Sequence, residues 1–425
     1  MENAIGAQKQ ARKKITIGIL LLELYIFTFY TAQDIIIPSL LNTVCLYLFV
    51  VWGCATFIFD SKAKISRFTV WYAVFAALSF LSLTYSPEPI LPLGSSMYRV
   101  LVTLALTFCM QLFITDEVMF HRVLCTYAVS SAALVLLLMV TGNMFTSDGI
   151  RLGQELVGNA NVFSGMMMVA LMYEIWLFLH MKTTITVKVF LLAGMALNML
   201  ALLLSGGRKA VIASILFLYI SLILRRDAHG RRKIITYTVV IGALVAGLFY
   251  AMITIPDLYD AVGWRMVGLL NAVTGEGATD VSTLTRANLR ALAFREWWNS
   301  PIIGHGFDSY KYLNVQVYGR FYYSHCNYTE LLYNGGIIAF VAYYYMPFRL
   351  LKGALSDKTV PSKYRDFAIA TVLSMLAYDY GAVDYDAVLV ISMFMMAAIG
   401  LSLGKKDSEA QAFLKQRQAN ARIRM

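Results

Sequence analysis

Apolar runs of about 17 to 25 residues, the length a helix needs to cross a bilayer, recur along nearly the whole chain. In hydrocarbon every backbone N–H and C=O must be satisfied within the protein, so only helices and closed barrels span a membrane. Barrel strands alternate apolar and polar positions over about ten residues. The run 123–140 is apolar all round, which excludes a barrel. The expected fold class is an all-α integral membrane protein. Composition agrees: 14% of the 425 residues are charged, against about 25% in a soluble domain.

Twelve candidate spans follow, at 15–33, 36–59, 68–86, 97–115, 123–142, 161–181, 189–205, 210–225, 234–254, 328–349, 367–383 and 386–404. They divide the chain into spans 1–9 within 1–254, an extracytoplasmic loop at 255–326, spans 10–12 within 327–404, and a basic tail at 405–425. Lys and Arg are retained on the cytoplasmic side of membrane proteins. With a cytoplasmic N-terminus, 26 of the 36 basic residues fall inside, in clusters that include Lys9 to Lys14, Lys62 to Arg67, Arg225 to Lys233 and the tail from Lys405. Both termini are then cytoplasmic. The basic segment Lys9 to Lys14 precedes the first apolar run with no small-residue cleavage site after it, so that run reads as a retained span.

The net charge of +11 is therefore a retention signal and does not imply a nucleic-acid partner. Of the five cysteines, Cys45, Cys54, Cys109 and Cys125 lie in apolar runs and Cys326 stands alone near the outer surface. Neither a disulfide framework nor metal-ligand spacing is present. Glu23, Glu174 and Asp379 lie in or near spans but are too scattered to suggest a relay.

The ten outer basic residues are Arg99, Arg151, Arg208, Lys209, Arg265, Arg286, Arg290, Arg295, Lys311 and Arg320. Positive charge on the far side needs a reason, and an anionic substrate supplies one. Arg208 sits in the short connection Ser205-Gly206-Gly207-Arg208-Lys209, where the glycines permit a tight turn that holds the guanidinium at the membrane surface; the plainer reading is a polar cap on that turn. In the long loop, 255–274 has an amphipathic pattern suited to the membrane interface, and a polar break follows at 275–282. A second helix is expected over 285–300, ended by Pro301 and followed by the Gly304-His305-Gly306 turn.

Arg286 and Arg290 share a face of that helix at a spacing where like charges repel. Two guanidiniums there suit a diphosphate, which accepts paired hydrogen bonds from planar donors; a solvated face beside Glu296 is the alternative. His325 lies where the loop re-enters the membrane and could take a proton from a hydroxyl nucleophile, although a lone interfacial histidine is often inert. Arg151, near Asn159 and Asn161, is a further anion-site candidate. His305 reads as turn geometry, and Arg265, Lys311 and Arg320 as surface.

Two stretches resemble the superfamily of O-antigen ligases and Wzy-type polysaccharide polymerases. One runs from Arg286 through Arg290 and Arg295 to Pro301-Ile-Ile-Gly304-His-Gly306; the other is His325-Cys-Asn-Tyr328-Thr-Glu330-Leu-Leu332-Tyr-Asn-Gly-Gly336-Ile337. The Ser205 to Lys209 turn, and Arg151-Leu-Gly followed by Asn159-Ala-Asn161, are similar to two further family elements. Cys326, Thr329 and Asn334 depart from the usual asparagine, aliphatic and acid.

The resemblance implies a GT-C-like enzyme of the bacterial inner membrane with no metal or other cofactor. Its members pass a glycan from an undecaprenyl-diphosphate carrier to an acceptor sugar hydroxyl. Carried over here, Arg208 and Arg286 would bind diphosphate, with Arg290 and Arg151 beside them, and His325 would orient or deprotonate the acceptor. The expected activity is polymerisation of lipid-linked repeat units into capsular, exopolysaccharide or O-antigen chains, alongside a flippase and a chain-length regulator. An O-antigen ligase or protein O-oligosaccharyltransferase would differ only in its acceptor. A flippase or transporter would need its charges along a path between spans, and a structural scaffold would need none of them.

Overall fold

The computed structural model describes residues 16–34, 37–60, 63–86, 95–144, 151–225, 230–256, 259–274 and 281–423. The N-terminal basic cluster, Lys62, Arg226 and most of the expected 275–282 break lie outside them. The described residues form fifteen α-helices and no strand. They are α1 Ile17–Thr31, α2 Leu40–Phe59, α3 Arg67–Leu81, α4 Ser96–Phe113, α5 Glu117–Val140, α6 Ala160–His180, α7 Ile185–Leu204, α8 Arg208–Leu224, α9 Gly230–Thr254, α10 Trp264–Thr274, α11 Val281–Trp297, α12 Ser309–Tyr318, α13 Asn327–Ser356, α14 Ser362–Asp379 and α15 Val388–Ile423.

Polar residues at the ends of the apolar runs start many of these helices. Thr16, Ser66, Ser95, Asp116, Asn159 and Thr184 each accept a bond from a backbone N–H in the first turn, satisfying donors that have no partner inside the helix. All twelve expected spans fall on helices. Seven of the described helices, α2 to α7 and α15, are long and apolar enough to cross a membrane, α3 by way of the 3-10 turn Ser82–Thr84 that extends it, so the chain is a multi-pass membrane protein. Of the others, α1 has 15 residues and α8 has 17.

The core forms around α6. Its residues from Phe163 to Leu177 are all buried, and it packs against α5, α7 and α8. A buried aromatic cluster of Phe120, Trp176, Tyr364 and Phe367 joins α5, α6 and α14.

The long loop differs in detail from expectation. The helix expected over 285–300 runs from Val281 to Trp297. The 255–274 segment contains a π-helical turn at Tyr259–Gly263 before α10, and α12 is an element the sequence pattern did not suggest. The last helix continues without interruption through the basic tail to Ile423.

One interlock sets how the loop meets the bundle. At Gly336, with φ 62° and ψ −166°, α13 is kinked, which frees backbone groups on either side. The segment after α11 satisfies them. Ile337 N and Ile338 N donate to Pro301 O at 2.9 Å and Ile302 O at 3.2 Å, while His305 N and Gly306 N donate to Tyr333 O at 2.9 Å and Asn334 O at 2.7 Å. The Pro301 to Gly306 motif is thus docked backbone-to-backbone on the helix that follows His325.

Candidate active site

Three separated stretches supply the cations. The Ser205 to Gly207 turn ends α7 and starts α8, placing Arg208 and Lys209 as the first two residues of α8. Cations at a helix N-terminus oppose the helix dipole, at a cost of about 0.3–1 kcal/mol each, so an anion there would relieve two unfavourable placements at once. Gly207 packs so closely on Ser164 of α6 that a Cβ would lie 2.3 Å from the serine Cβ. That contact fixes the turn against the core. Arg151 crosses to the same turn, donating from Nε to Ser205 O at 2.7 Å and from its terminal nitrogen to Asn161 Oδ1 at 3.3 Å. Arg286 arrives on α11, and a neighbour on that helix, Thr283, accepts from Arg208 at 3.4 Å.

Arg151, Arg208, Lys209 and Arg286, with Asn161 and Ser282, line one cavity of about 130 Å³. A second cavity of about 450 Å³ shares Asn161 and Lys209 with it. Its lining extends to Asn159, Tyr323, Tyr378, Asp384, Asp386 and Arg99. Arg99 is held by Asp386 at 2.6 Å, and the Lys209 ammonium lies 4.6 Å from the centre of the Tyr378 ring. Lys311, which reads as surface in the sequence, also lines this cavity and pairs with Asp308 at 2.7 Å.

His325 occupies a left-handed turn at φ 58°. The buried Glu330 carboxylate clamps that turn by accepting from Ser324 N at 2.6 Å, and Ser324 Oγ donates to Cys326 O at 2.9 Å. The imidazole lies against Tyr323, ring centres 4.3 Å apart. Burial, then the positive charges of Arg286, Lys209 and Arg290, push its pKa down to about 3. The imidazole is therefore neutral at physiological pH, and the charges that act on it come from α11 and from the start of α8.

The structure separates the other candidates. Arg290 stacks over Tyr380, 4.9 Å from the ring centre, and reaches the site through its charge on His325. His305 is a turn residue. Its ring stacks on Tyr333 at 4.4 Å, and its Nε2 lies 3.1 Å from Glu296 O. Asn334 is fully buried, accepting from Tyr310 N at 3.1 Å and donating to Glu330 at 3.3 Å, so it ties α12 to the Glu330 clamp. Lys209, Asn161 and Asp384 are cavity residues to which the sequence gave no separate role.

Residues 190–344 match the family model described as O-antigen ligase. Over this segment the chain is similar to the O-antigen ligase family. The segment spans just over a third of the chain and holds Arg208, Arg286, Arg290 and His325, so the candidate residues of the loop and of the α7–α8 turn lie in the stretch that is similar to this family of glycan-processing membrane proteins. Arg151, Asn161 and Asp384 lie outside the matched stretch and join the O-antigen ligase segment only through the fold. No match was found among curated proteins.

Proposed function

We propose that the chain is a membrane glycosyltransferase that joins undecaprenyl-diphosphate-linked repeat units into capsular, exopolysaccharide or O-antigen chains. It would act on the outer face of a bacterial inner membrane, through twelve spans with both termini cytoplasmic. The observation that carries this reading is the convergence of Arg151, Arg208, Lys209 and Arg286 on one cavity, with a neutral histidine under the influence of two of them, Arg286 and Lys209.

In the reaction, the bond from the donor sugar's anomeric carbon to the diphosphate oxygen breaks, and an acceptor hydroxyl oxygen forms the new glycosidic bond. Charge accumulates on the leaving diphosphate, where guanidiniums already in place stabilise the transition state. Planar donors pair with phosphate oxygens two at a time. The acceptor hydroxyl gives up a proton, and neutral His325 is the group that accepts a hydrogen bond and then the proton. A bound diphosphate would offset the cations that depress the imidazole, raising its basicity when the donor is present. The larger cavity would take acceptor sugars, with the Asn159 and Asn161 amides, the Asp384 and Asp386 carboxylates and the Tyr323 and Tyr378 rings as partners. A flippase and a chain-length regulator would supply donor and limit product.

The description of the matching family keeps a second reading in view, an O-antigen ligase or protein O-oligosaccharyltransferase that passes the glycan to a different acceptor. One experiment separates the two. The gene is deleted and complemented with wild type, His325→Ala or Arg286→Ala, and surface glycan is displayed by length. A polymerase requires both variants to leave single repeats on the carrier or acceptor. Long chains lacking an acceptor would indicate a ligase, and normal chains from both variants would remove the proposed site.

A further inference from the structure

A second cation-lined cavity lies far from the arginine site. It has a volume of about 560 Å³, and Lys64, Arg67, Arg349, Lys405 and Lys406 line it. Asp357 is the one carboxylate in the lining, and it already accepts from the N–H of Thr359 at 3.1 Å and from its hydroxyl at 2.5 Å. Among the described residues, none of the five cations is bridged to a carboxylate; Arg349 donates to the Tyr345 hydroxyl at 2.8 Å. The rest of the wall is largely apolar, including Ile65, Leu350, Ile399 and Leu403, and Ile65 is 54% exposed.

The same helices carry both sites at opposite ends. On α13, Glu330 lines the larger cavity of the arginine site and Arg349 this one; on α15 the corresponding residues are Val388 and Lys405. At about 1.5 Å per helical residue the two α15 positions are separated by about 25 Å, close to the thickness of a hydrocarbon core of about 30 Å. A pocket of cations at one end of a membrane bundle, with an apolar wall leading from it, has the chemistry of a lipid headgroup site.

We propose that this cavity binds the headgroup of an anionic phospholipid from the leaflet opposite the arginine site, with an acyl chain along its apolar wall. Clustered cations repel one another in the empty protein, and a phosphodiester relieves that repulsion. Anionic leaflets concentrate on basic juxtamembrane surfaces, but four helices that converge on a walled pocket select a bound lipid over a diffuse cloud. A free phosphate would use the cations and leave the wall unused.

The test uses the full-length protein in detergent, with dioleoyl phosphatidylglycerol as probe and native mass spectrometry to count bound lipid. Dioleoyl phosphatidylcholine and inorganic phosphate are the comparators. The variant Arg349→Gln/Lys405→Ser/Lys406→Ser should lose at least fivefold of the phosphatidylglycerol adduct and keep its phosphatidylcholine adduct. Lys182→Ser/Lys188→Ser, a basic pair in the α6–α7 connection and the first turn of α7, should bind as wild type does. Should the triple variant fail to fold, Lys405→Ser/Lys406→Ser changes two exposed residues and should show at least a twofold loss. Undiminished lipid binding by the folded variant overturns the proposal, as does an equal loss in the control pair. Complete displacement by millimolar inorganic phosphate also overturns it, in favour of a free-anion site.

Discussion

His325 holds its imidazole on a backbone conformation that residues with a Cβ seldom adopt. Such conformations cost on the order of 1–3 kcal/mol and persist only where neighbours over-determine them; here Glu330 and Ser324 do so. Burial, followed by Arg286, Lys209 and Arg290, lowers the histidine's pKa to about 3, and this has a signed consequence for stability. The folded value lies below the unfolded value of about 6.5. Above that pH the imidazole is neutral in both states and contributes nothing. As pH falls toward 3, the unfolded chain takes up a proton that the folded chain refuses, so stability declines. His325→Gln removes this uptake, and its melting temperature should fall less than that of wild type between pH 7 and pH 5. Scanning fluorimetry of the two proteins in detergent checks it, and parallel declines would mean that burial and the neighbouring cations do not hold the ring neutral.

Arg151, Arg208 and Arg286 were legible in the sequence because positive charge on the outer side of a membrane protein is unusual enough to be noticed, and His325 because it lies where the loop re-enters the membrane. Lys209 was legible by its charge as well, but beside Arg208 in a short turn nothing local gave it a role of its own. Its position in both cavities depends on the packing of Gly207 against Ser164, a contact between α8 and α6 that no local pattern encodes.

At the level of elements, the helices follow from apolar length and from capping residues, and each segment expected to span falls on a helix, seven of the described helices being long and apolar enough to cross a membrane. The α13 kink does not follow, because Gly335 and Gly336 in an apolar run are also compatible with an ordinary helix. What makes the kink necessary is the docking of Pro301 to Gly306 on the backbone it exposes. A Cβ on Gly336 would lie 2.3 Å from Ile302 O and 2.7 Å from Gly304 N, with φ at +62°. Gly336→Ala should therefore lower the melting temperature by several degrees and reduce activity, because α11 and its Arg286 would shift relative to His325. Gly247→Ala is the matched comparison. Gly247 lies in α9 with nothing within 4 Å of its would-be Cβ, and alanine is favoured over glycine in a helix interior by about 0.5–1 kcal/mol. Its melting temperature should be unchanged or slightly raised. Equal losses in the two variants would show that the interlock contributes nothing specific.

Across the whole molecule, two cation-lined regions sit at opposite ends of α13 and α15, and the proposed reaction requires a particular one of them to face outward. Exposed single cysteines decide which does. Arg320 lies exposed between α12 and α13, and Lys358 lies exposed between α13 and α14. In a background lacking the five native cysteines, Arg320→Cys should react with a membrane-impermeant maleimide applied to spheroplasts, while Lys358→Cys should react only after lysis. The reasoning joins charge retention to chemistry. Most Lys and Arg stay on the cytoplasmic side, so the minority that cross must include those that meet a substrate already flipped outward. Labelling of Lys358→Cys in intact spheroplasts would invert the topology and place Arg151, Arg208 and Arg286 in the cytoplasm. A transferase acting after flipping could not then use them, and the proposed reaction would fail along with the orientation.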